Sequence, residues 1–326
     1  MKYESGLVSP NPLTVCCPGL EIFDETRATR YEKRFSMMIH FKKVTIIGVG
    51  LIGGSLGMIL KRDGLADQVI GVGRTIENLE LAVKLEAIDR YEQDPEQAMP
   101  GTDLVILATP VESYASHLKR WGPLLEEGAI VSDVGSVKGP LVEQAESLMP
   151  SGVHFVGAHP IAGKEKSGVG AATINLYQQA LCLVTPTPQT NQEALEKIRA
   201  LWESAGSTVR SIDPFLHDWI LGAVSHLPHI AAFALMNTLD DLQQQTKGDV
   251  DLFNFSGGGL RDTTRIAASS PEMWRDIFLW NRDNVVKMIE SLEEHLKRMK
   301  SYIQQHDEAG VKDEIVRARE ARRRLK

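Results

Sequence analysis

Cysteine is scarce in this chain. Only 3 occur in 326 residues: Cys16 and Cys17 are adjacent near the N-terminus, and Cys182 stands alone in an apolar run. Neither a disulfide framework nor a zinc ligand set can be assembled from them, which points to a reducing, cytoplasmic setting. Positive charge is also short. Against 43 Asp and Glu there are 36 Lys and Arg, a net charge of −7, and this argues against a nucleic-acid binder working through a general basic surface. A long uninterrupted apolar run is missing too. The longest candidate, residues 219–236, contains Ser225, His226, Pro228 and His229. It is too polar for a bilayer span, predicts a buried helix and gives no reason to expect a membrane partner. The N-terminus has no apolar central run and carries Glu4, Glu21, Asp24 and Glu25, so it does not read as a signal peptide. What remains is ordinary globular composition, 43% hydrophobic and 24% charged, at a length suited to two domains of about 150 residues.

Residues 1–40 differ from the rest. Pro10, Pro12 and Pro18 interrupt mixed charges without periodicity, and Met37 and Met38 come just before the first strong strand. They are expected to be a flexible extension or the product of a start assigned too far upstream, and no chemistry is placed there. From residue 43 strands alternate with helices. Short β-branched or apolar runs at 44–47, 69–72, 104–108, 129–132, 154–156 and 180–184 are separated by helical patterns. Nearly continuous apolar strands of this kind predict a parallel sheet covered on both faces. After Pro214 no strand-like segment remains. A helical stretch covers 216–242. Another opens at Pro271, with Ser270 as cap, and runs to about 305 with Trp274, Ile277, Phe278, Val285, Met288, Leu292, Leu296 and Met299 on one stripe. That stripe reads as core or as a dimer interface. The basic tail, Arg317 to Arg324, reads as a solvated helix end.

The chemistry begins at Gly48-Val-Gly50-Leu-Ile-Gly53, a G-x-G-x-x-G motif set between the first strand and the first helix. Gly48 allows the tight turn, Gly50 lets the backbone approach a pyrophosphate, and Gly53 lets helix and strand pack closely. The helix N-terminus then offers N–H groups to the anion. The first half is therefore read as a Rossmann-type, doubly wound, mostly parallel sheet over residues 41–213, followed by an all-helical domain over 214–326. Candidate cofactor contacts are Gly48, Gly50, Leu51, Ile52, Gly53 and Thr109. No acid closes the second strand; Arg74 stands there instead. An arginine can meet a 2′-phosphate or lie on adenine, so NAD and NADP both stay open.

Four polar segments follow, each at a strand end or on a helix: Asp133-Val-Gly-Ser136-Val-Lys138, Gly157-Ala-His159-Pro-Ile-Ala-Gly163-Lys164-Glu165, His217-Asp218 with Ser225-His226-Leu-Pro-His229, and Gly257-Gly-Gly-Leu-Arg261-Asp262-Thr-Thr-Arg265. In this order and spacing the chain resembles the prephenate/arogenate dehydrogenase family of tyrosine biosynthesis from about residue 42 to about residue 300. The resemblance implies a Rossmann domain joined to a helical dimerisation domain, a homodimer, and NAD(P)-dependent oxidative decarboxylation. Hydride leaves C4 of a cyclohexadiene, the hydroxyl proton leaves, and CO2 departs from C1. Aromatisation drives the reaction and no metal is needed.

The same resemblance assigns His159 as the base that takes the 4-hydroxyl proton, a task suited to an imidazole with an ordinary pKa of about 6.5. Ser136 would touch the hydroxyl, the histidine and the nicotinamide, or cap the helix that follows. Arg265 would bind a substrate carboxylate in bidentate fashion, although an ion pair with Asp262 is the plain structural alternative. His229 would reach the substrate side chain, with His217 and His226 mainly structural. Glu165 and Trp274 match a gate and a wall of the site, though Trp274 fits plain core equally well. Asp133 and Lys138 would support. Lys164 sits where substrate preference is set. The pair His226 and His229 has no acidic partner at metal spacing. Short flanks leave no room for a fused mutase or regulatory domain, so no mutase activity is expected and inhibition by tyrosine would be competition at the active site. Two other readings are a β-hydroxyacid-type dehydrogenase, which would place a lysine acid/base in the helical domain, and a silent dinucleotide-sensing module.

Overall fold

The computed structural model describes residues 39–325 apart from 164, 165, 247 and 249. The extension expected over 1–40 lies outside the described residues up to 38, as do Lys164 and Glu165.

The fold is built on β1 (Phe41–Ile47), whose Val44, Ile46 and Ile47 are fully covered. It pairs in parallel with β2 (Ala66–Val72) on one side and β4 (Leu104–Leu107) on the other. β3 (Arg90–Glu92) extends the sheet beyond β2, and β5 (Ile130–Asp133) and β6 (His154–Val156) extend it beyond β4. The order is β3-β2-β1-β4-β5-β6, all parallel. Helices α1 (Leu51–Arg62), α2 (Ile76–Lys84), α3 (Pro95–Ala98), α4 (Tyr114–Trp121) and α5 (Gly139–Ser147) alternate with these strands. Burial on both faces is why the central strands read as unbroken apolar runs. The strand order reverses between β1 and β4, so a crevice opens at their carboxyl ends.

A second sheet follows, which the sequence reading had merged with the first. β7 (Ala158–Pro160) pairs antiparallel with β8 (Leu181–Val184), and β8 pairs parallel with β9 (Thr208–Ser211), with α6 (Gln192–Ser204) between β8 and β9. The run at 180–184 is thus not the next strand of the main sheet. Gly157 makes the separation possible: Thr185 donates its N–H to the Gly157 carbonyl at 2.9 Å, and a Cβ on Gly157 would lie 2.4 Å from Thr185 Oγ1. The chain passes from β6 straight into β7 there. β3 and β9 carry too few apolar residues to announce themselves.

After Asp213, which caps α7 (Pro214–Leu221) by accepting from the N–H groups of Phe215 and Leu216 at 2.9 Å, the elements among the described residues are all helices. The expected helix over 216–242 is interrupted by a π-turn, Gly222–His226, before α8 (Leu227–Gln245). Pro228 has no N–H for the Val224 carbonyl, which accounts for the widened turn. α9 (Gly258–Thr264) leads to α10 (Pro271–Trp280), and the Ser270 hydroxyl accepts from Met273 N–H as foreseen. The long helix expected from Pro271 to about 305 breaks at Asn281, and α11 (Arg282–Gln304) continues it. Asn281 spends its side chain on neighbours in the site rather than on helix continuity. The tail turns at His306 (φ 52°) into α12 (Glu308–Arg322).

The apolar stretch at 219–236 is not a buried helix within this chain. Trp219 is 56% exposed, Val224 is 67% exposed, and only Ala232 of α8 is covered. By length and composition residues 214–245 would also suffice to cross a membrane, and only 22% of the apolar window is buried. The helical half leaves this apolar surface uncovered. Where the halves do meet, they share one core: Trp274 and Ile277 pack with Val111, Tyr114, Val137 and Leu141 of the sheet half.

Candidate active site

The glycine turn has the geometry its sequence requires. Gly48 adopts φ +98°, and a Cβ there would meet the Ala108 carbonyl oxygen at 2.5 Å. A Cβ on Gly53 would lie 2.3 Å from the Gly48 carbonyl oxygen, so α1 packs against the turn only without a side chain. Gly50 is the opposite case: nothing lies within 4 Å of a Cβ position. It is the N-cap of α1, no side chain caps that end, and no acid stands in its first turn. Free N–H groups, an open approach and a positive helix end suit a pyrophosphate. Leu51 and Ile52 form the first turn of α1, and the Ile52 carbonyl accepts from Tyr177 Oη at 2.6 Å. Thr109 leaves β4 beside Gly48 and hydrogen-bonds Ser113 Oγ at 2.8 Å. Arg74 is exposed past the end of β2, and its side chain makes no hydrogen bond among the described residues. Asn78 steadies the turn, donating to the Val49 carbonyl at 2.8 Å and accepting from Val169 N–H at 3.3 Å.

Register lines up the next pieces. Ile47, Leu107 and Asp133 are neighbours across β1, β4 and β5, and Ser132 faces Val156 of β6. Gly48, Thr109, the loop of Ser136 and the approach to His159 therefore leave the same edge of the sheet. The loop 133–138 is clamped from inside. Lys138, fully buried, donates its ammonium to Asp133 Oδ2 at 2.8 Å, to the Gly135 carbonyl at 2.6 Å and to the Val137 carbonyl at 3.1 Å. Asp133, equally buried, also accepts from Gly135 N–H at 2.8 Å and Ala158 N–H at 3.0 Å. Every charge in this pair is matched, so burial does not leave either uncompensated. Ser136 rides on the clamp, half-buried, with no side-chain hydrogen bond among the described residues. It does not cap α5. Asp218 of α7 does so from across the fold, accepting from Lys138 N–H at 2.7 Å and Gly139 N–H at 2.8 Å.

His159 lies on β7, one residue after the Ala158 that Asp133 holds, and not in a loop. It is 8% exposed. Its Nδ1 is 2.8 Å from His217 Nε2, and His217 Nδ1 is 2.8 Å from Asp218 Oδ1. Nε2 of His159 has no hydrogen bond among the described residues. Burial, then the His217, Lys138 and His226 charges, push its pKa well below the ordinary imidazole value. His159 is therefore neutral at physiological pH, as a proton acceptor must be. Burial also lowers His217, with Asp218 opposing, and takes His226 down to about 4.

The other end of the row is aromatic and cationic. Asn281 donates to the Asp218 carbonyl at 2.7 Å and lies 3.0 Å from His226 Nδ1. His226 meets Trp274 edge-on at 5.9 Å between ring centroids, and Trp274 stacks on His229 at 3.7 Å. His229 Nδ1 donates to the Ser225 carbonyl at 2.8 Å. Burial lowers its pKa, the hydrogen bond to Ser225 opposes, and the Arg265 charge lowers it further. Trp274 is both packed in the core and part of this row. Its indole Nε1 is buried without a partner among the described residues, a donor left for something else to satisfy. One unbroken series of neighbours thus runs from His159 to His229. Among the described residues no group of three or more His, Cys, Asp or Glu is disposed to hold a metal ion.

Asn281 is the site residue that sequence reasoning missed, while Asp218 was singled out beside His217 without a role. Asn281 carried no signal, because an asparagine inside an apolar helical pattern looks like a surface position.

Comparison with known proteins agrees with this geometry. The family model described as prephenate dehydrogenase, nucleotide-binding domain, matches residues 56–211, and that described as prephenate dehydrogenase, dimerization domain, matches residues 213–317. Prephenate dehydrogenase of Bacillus subtilis is 34% identical over 269 residues, covering 81% of this chain and 71% of that protein. Cyclohexadienyl dehydrogenase of Zymomonas mobilis is 29% identical over 290 residues, covering 89% and 98%. Among solved structures, prephenate dehydrogenase from Aquifex aeolicus in complex with hydroxyphenyl propionate and NAD+ gives a TM-score of 0.81 at 39% identity, covering 90% of this chain and all (100%) of that one. Synechocystis arogenate dehydrogenase gives 0.72 at 29% identity, covering 87% and 100%.

Proposed function

The chain belongs to the prephenate dehydrogenase family of NAD(P)-dependent oxidoreductases, and from that premise we propose that it converts prephenate to 4-hydroxyphenylpyruvate by oxidative decarboxylation. The observation that carries this reading is His159: a buried, neutral imidazole with one ring nitrogen unused, next to Ala158, which Asp133 ties to the end of β5 in the sheet that bears the glycine turn.

The dinucleotide is held at Gly48, Gly50, Leu51, Ile52 and Gly53, with Thr109 and Ser136 along the same edge and Arg74 at its adenosine end. When bound it supplies the hydride acceptor. His159 Nε2 takes the proton of the 4-hydroxyl as the C4 hydrogen leaves. Ser136, on its clamped loop, orients that hydroxyl. Arg265 receives a substrate carboxylate, His229 faces the side chain and Trp274 walls the ring. Glu165 is assigned as a gate on family resemblance alone. Prephenate is favoured over arogenate because the relatives named as prephenate dehydrogenases reach 34% and 39% identity against 29% for the arogenate dehydrogenase, and the Aquifex aeolicus complex holds a ligand with a propionate and no ammonium. The absence of an acid at the end of β2 leaves both NAD and NADP admissible. A four-way assay settles both choices: prephenate and arogenate, each with NAD and NADP, followed by reduced-nicotinamide absorbance. Prephenate is expected to give the highest kcat/KM. Faster turnover of arogenate would reverse the substrate assignment.

We also propose that the helical half forms a homodimer, the role for which its family model is named. Trp219, Val224, Leu235 and Leu242 present the apolar surface that a second copy would cover. Sedimentation velocity at micromolar concentration is expected to give twice the chain mass. A monomer there, with these residues reactive to surface labels, would overturn this reading.

A further inference from the structure

The base and two buried side chains behind it form a single hydrogen-bonded series, and their chemistry fixes its direction. Asp218 is the end of the series. Its carboxylate already accepts from Lys138 N–H and Gly139 N–H, and its Oδ1 lies 2.8 Å from His217 Nδ1. A carboxylate only accepts, so His217 must carry its proton on Nδ1. Neutral His217 then has a lone pair on Nε2, and the 2.8 Å contact requires His159 to donate from Nδ1. His159 Nε2 is consequently the bare nitrogen. Asp218 thus dictates the tautomer of an imidazole that it does not touch. Free histidine does not share this preference, so an isolated His159 would not reliably present Nε2 as a base.

We propose that Asp218 and His217 are the positioning residues of a two-imidazole relay, which sets His159 in its basic tautomer and takes up the charge created when His159 accepts the substrate proton. The proposal rests on the assigned reaction and deepens it. In the step, the substrate O–H bond breaks and a bond forms to His159 Nε2. The Nδ1–H of His159 passes to His217 Nε2, and the positive charge comes to rest on the ring paired with the Asp218 carboxylate. As CO2 leaves, its electron pair aromatises the ring and leaves a phenolate oxygen. The proton returns through the same two rings to that oxygen. Prephenate and the oxidised dinucleotide become 4-hydroxyphenylpyruvate, CO2 and the reduced dinucleotide, with no net proton gained or lost. The relay is therefore a parking place and needs no exit to solvent, which agrees with the near-complete burial of His217 and Asp218.

The electrostatic surroundings favour this destination. The titratable and charged groups facing the two rings are Asp133 at the end of β5, Lys138 on the loop before α5, Asp218 on α7, His226 on the π-turn and Cys182 on β8. Lys138 disfavours charge on either ring. The paired carboxylate beside His217 is the compensating group, and His159 has none.

The test uses the full-length enzyme and the variants His217→Gln and Asp218→Asn, both able to keep a hydrogen-bond acceptor in place. Three readouts are taken: dinucleotide affinity, the pH profile of kcat/KM with prephenate, and 15N chemical shifts of the histidine rings in the substrate-free protein, assigned with His159→Asn. In the parent, His159 and His217 are expected in the Nδ1–H form. His217→Gln should lower kcat by about 10²-fold or more with dinucleotide affinity unchanged. Asp218→Asn should move the acidic limb of the profile to lower pH, because the counter-charge is gone, besides lowering its plateau. A purely structural role would lower the plateau and leave the limb where it is. An Nε2–H tautomer for His159 in the parent overturns the relay, and so does an unshifted limb in Asp218→Asn. If the parent shows the Nδ1–H tautomers but turns over neither prephenate nor arogenate, the assigned reaction and the proton transfer both fall, while the hydrogen-bond direction stands.

Discussion

Removing the Asp133 carboxylate is the most severe single change that the structure identifies outside the reacting groups. In Asp133→Ala the Lys138 ammonium stays fully buried with two carbonyl oxygens as its remaining partners. Leaving one charge of a buried pair uncompensated costs about 3–5 kcal/mol. The backbone N–H groups of Gly135 and Ala158 also lose their acceptor, and a buried unsatisfied donor costs about 1–3 kcal/mol. Local relaxation offsets part of the sum, so a loss of about 4 kcal/mol is expected. At about 2–4 °C per kcal/mol this lowers Tm by about 8–16 °C. Trp121 and Trp202, both fully buried, report the transition by fluorescence in a urea or thermal titration. The double variant Asp133→Ala/Lys138→Met removes the stranded charge and should recover part of the loss. The reasoning is refuted if the single variant lies within about 1 kcal/mol of the parent, or if the double variant loses the full sum of the two singles.

Four further outcomes are expected. His159→Asn should reduce turnover by orders of magnitude with dinucleotide affinity near normal; unchanged turnover removes it as the base. Arg265→Ala should raise the KM for substrate by the equivalent of about 2–4 kcal/mol, the usual cost of a lost charged contact, and an unaltered KM would make the arginine structural. Gly53→Ala must push a methyl to within 2.3 Å of the Gly48 carbonyl oxygen, so titration should show dinucleotide Kd rising at least about tenfold, a loss of about 1.4 kcal/mol; an unchanged Kd would contradict the close packing of helix and turn. Finally, His226 is held neutral down to about 4, whereas the unfolded chain takes up that proton below about 6.5. Stability should therefore fall as pH drops from about 6.5 to about 4, by about 3 kcal/mol from this residue. Urea midpoints at pH 7.5 and pH 4.5 measure it, and a flat response would show that the ring is not buried in the neutral form.

Residues with a single local job were readable from sequence. The three glycines of the first turn announce their geometry because each answers one steric demand, and the apolar strands announce the sheet because both faces are covered. Ser270 and Pro271 mark a helix start by their own chemistry. What stayed hidden depends on contacts between distant segments. No local pattern reveals that Asp218 caps a helix that begins 79 residues earlier at Gly139, or that Asn281 ends a helix in order to reach His226. The short strands β3 and β9 are too polar to be seen. The stretch at 219–236 misled for a related reason: hydrophobicity says that a helix wants cover, but not whether its own chain supplies it. The histidines were found by type and order, while the direct contact between His159 and His217 needed coordinates.

The cap that α7 places on α5 has a consequence for how the protein is made. Synthesis runs from the N-terminus, so the glycine turn, the clamped loop and β7 all emerge before the carboxylate of Asp218 exists. A chain that has reached residue 213 carries every residue of its nucleotide cradle, yet it lacks the carboxylate that closes the start of α5 and the ring that accepts from His159. The catalytic row is therefore complete only once residues from both halves of the chain are together.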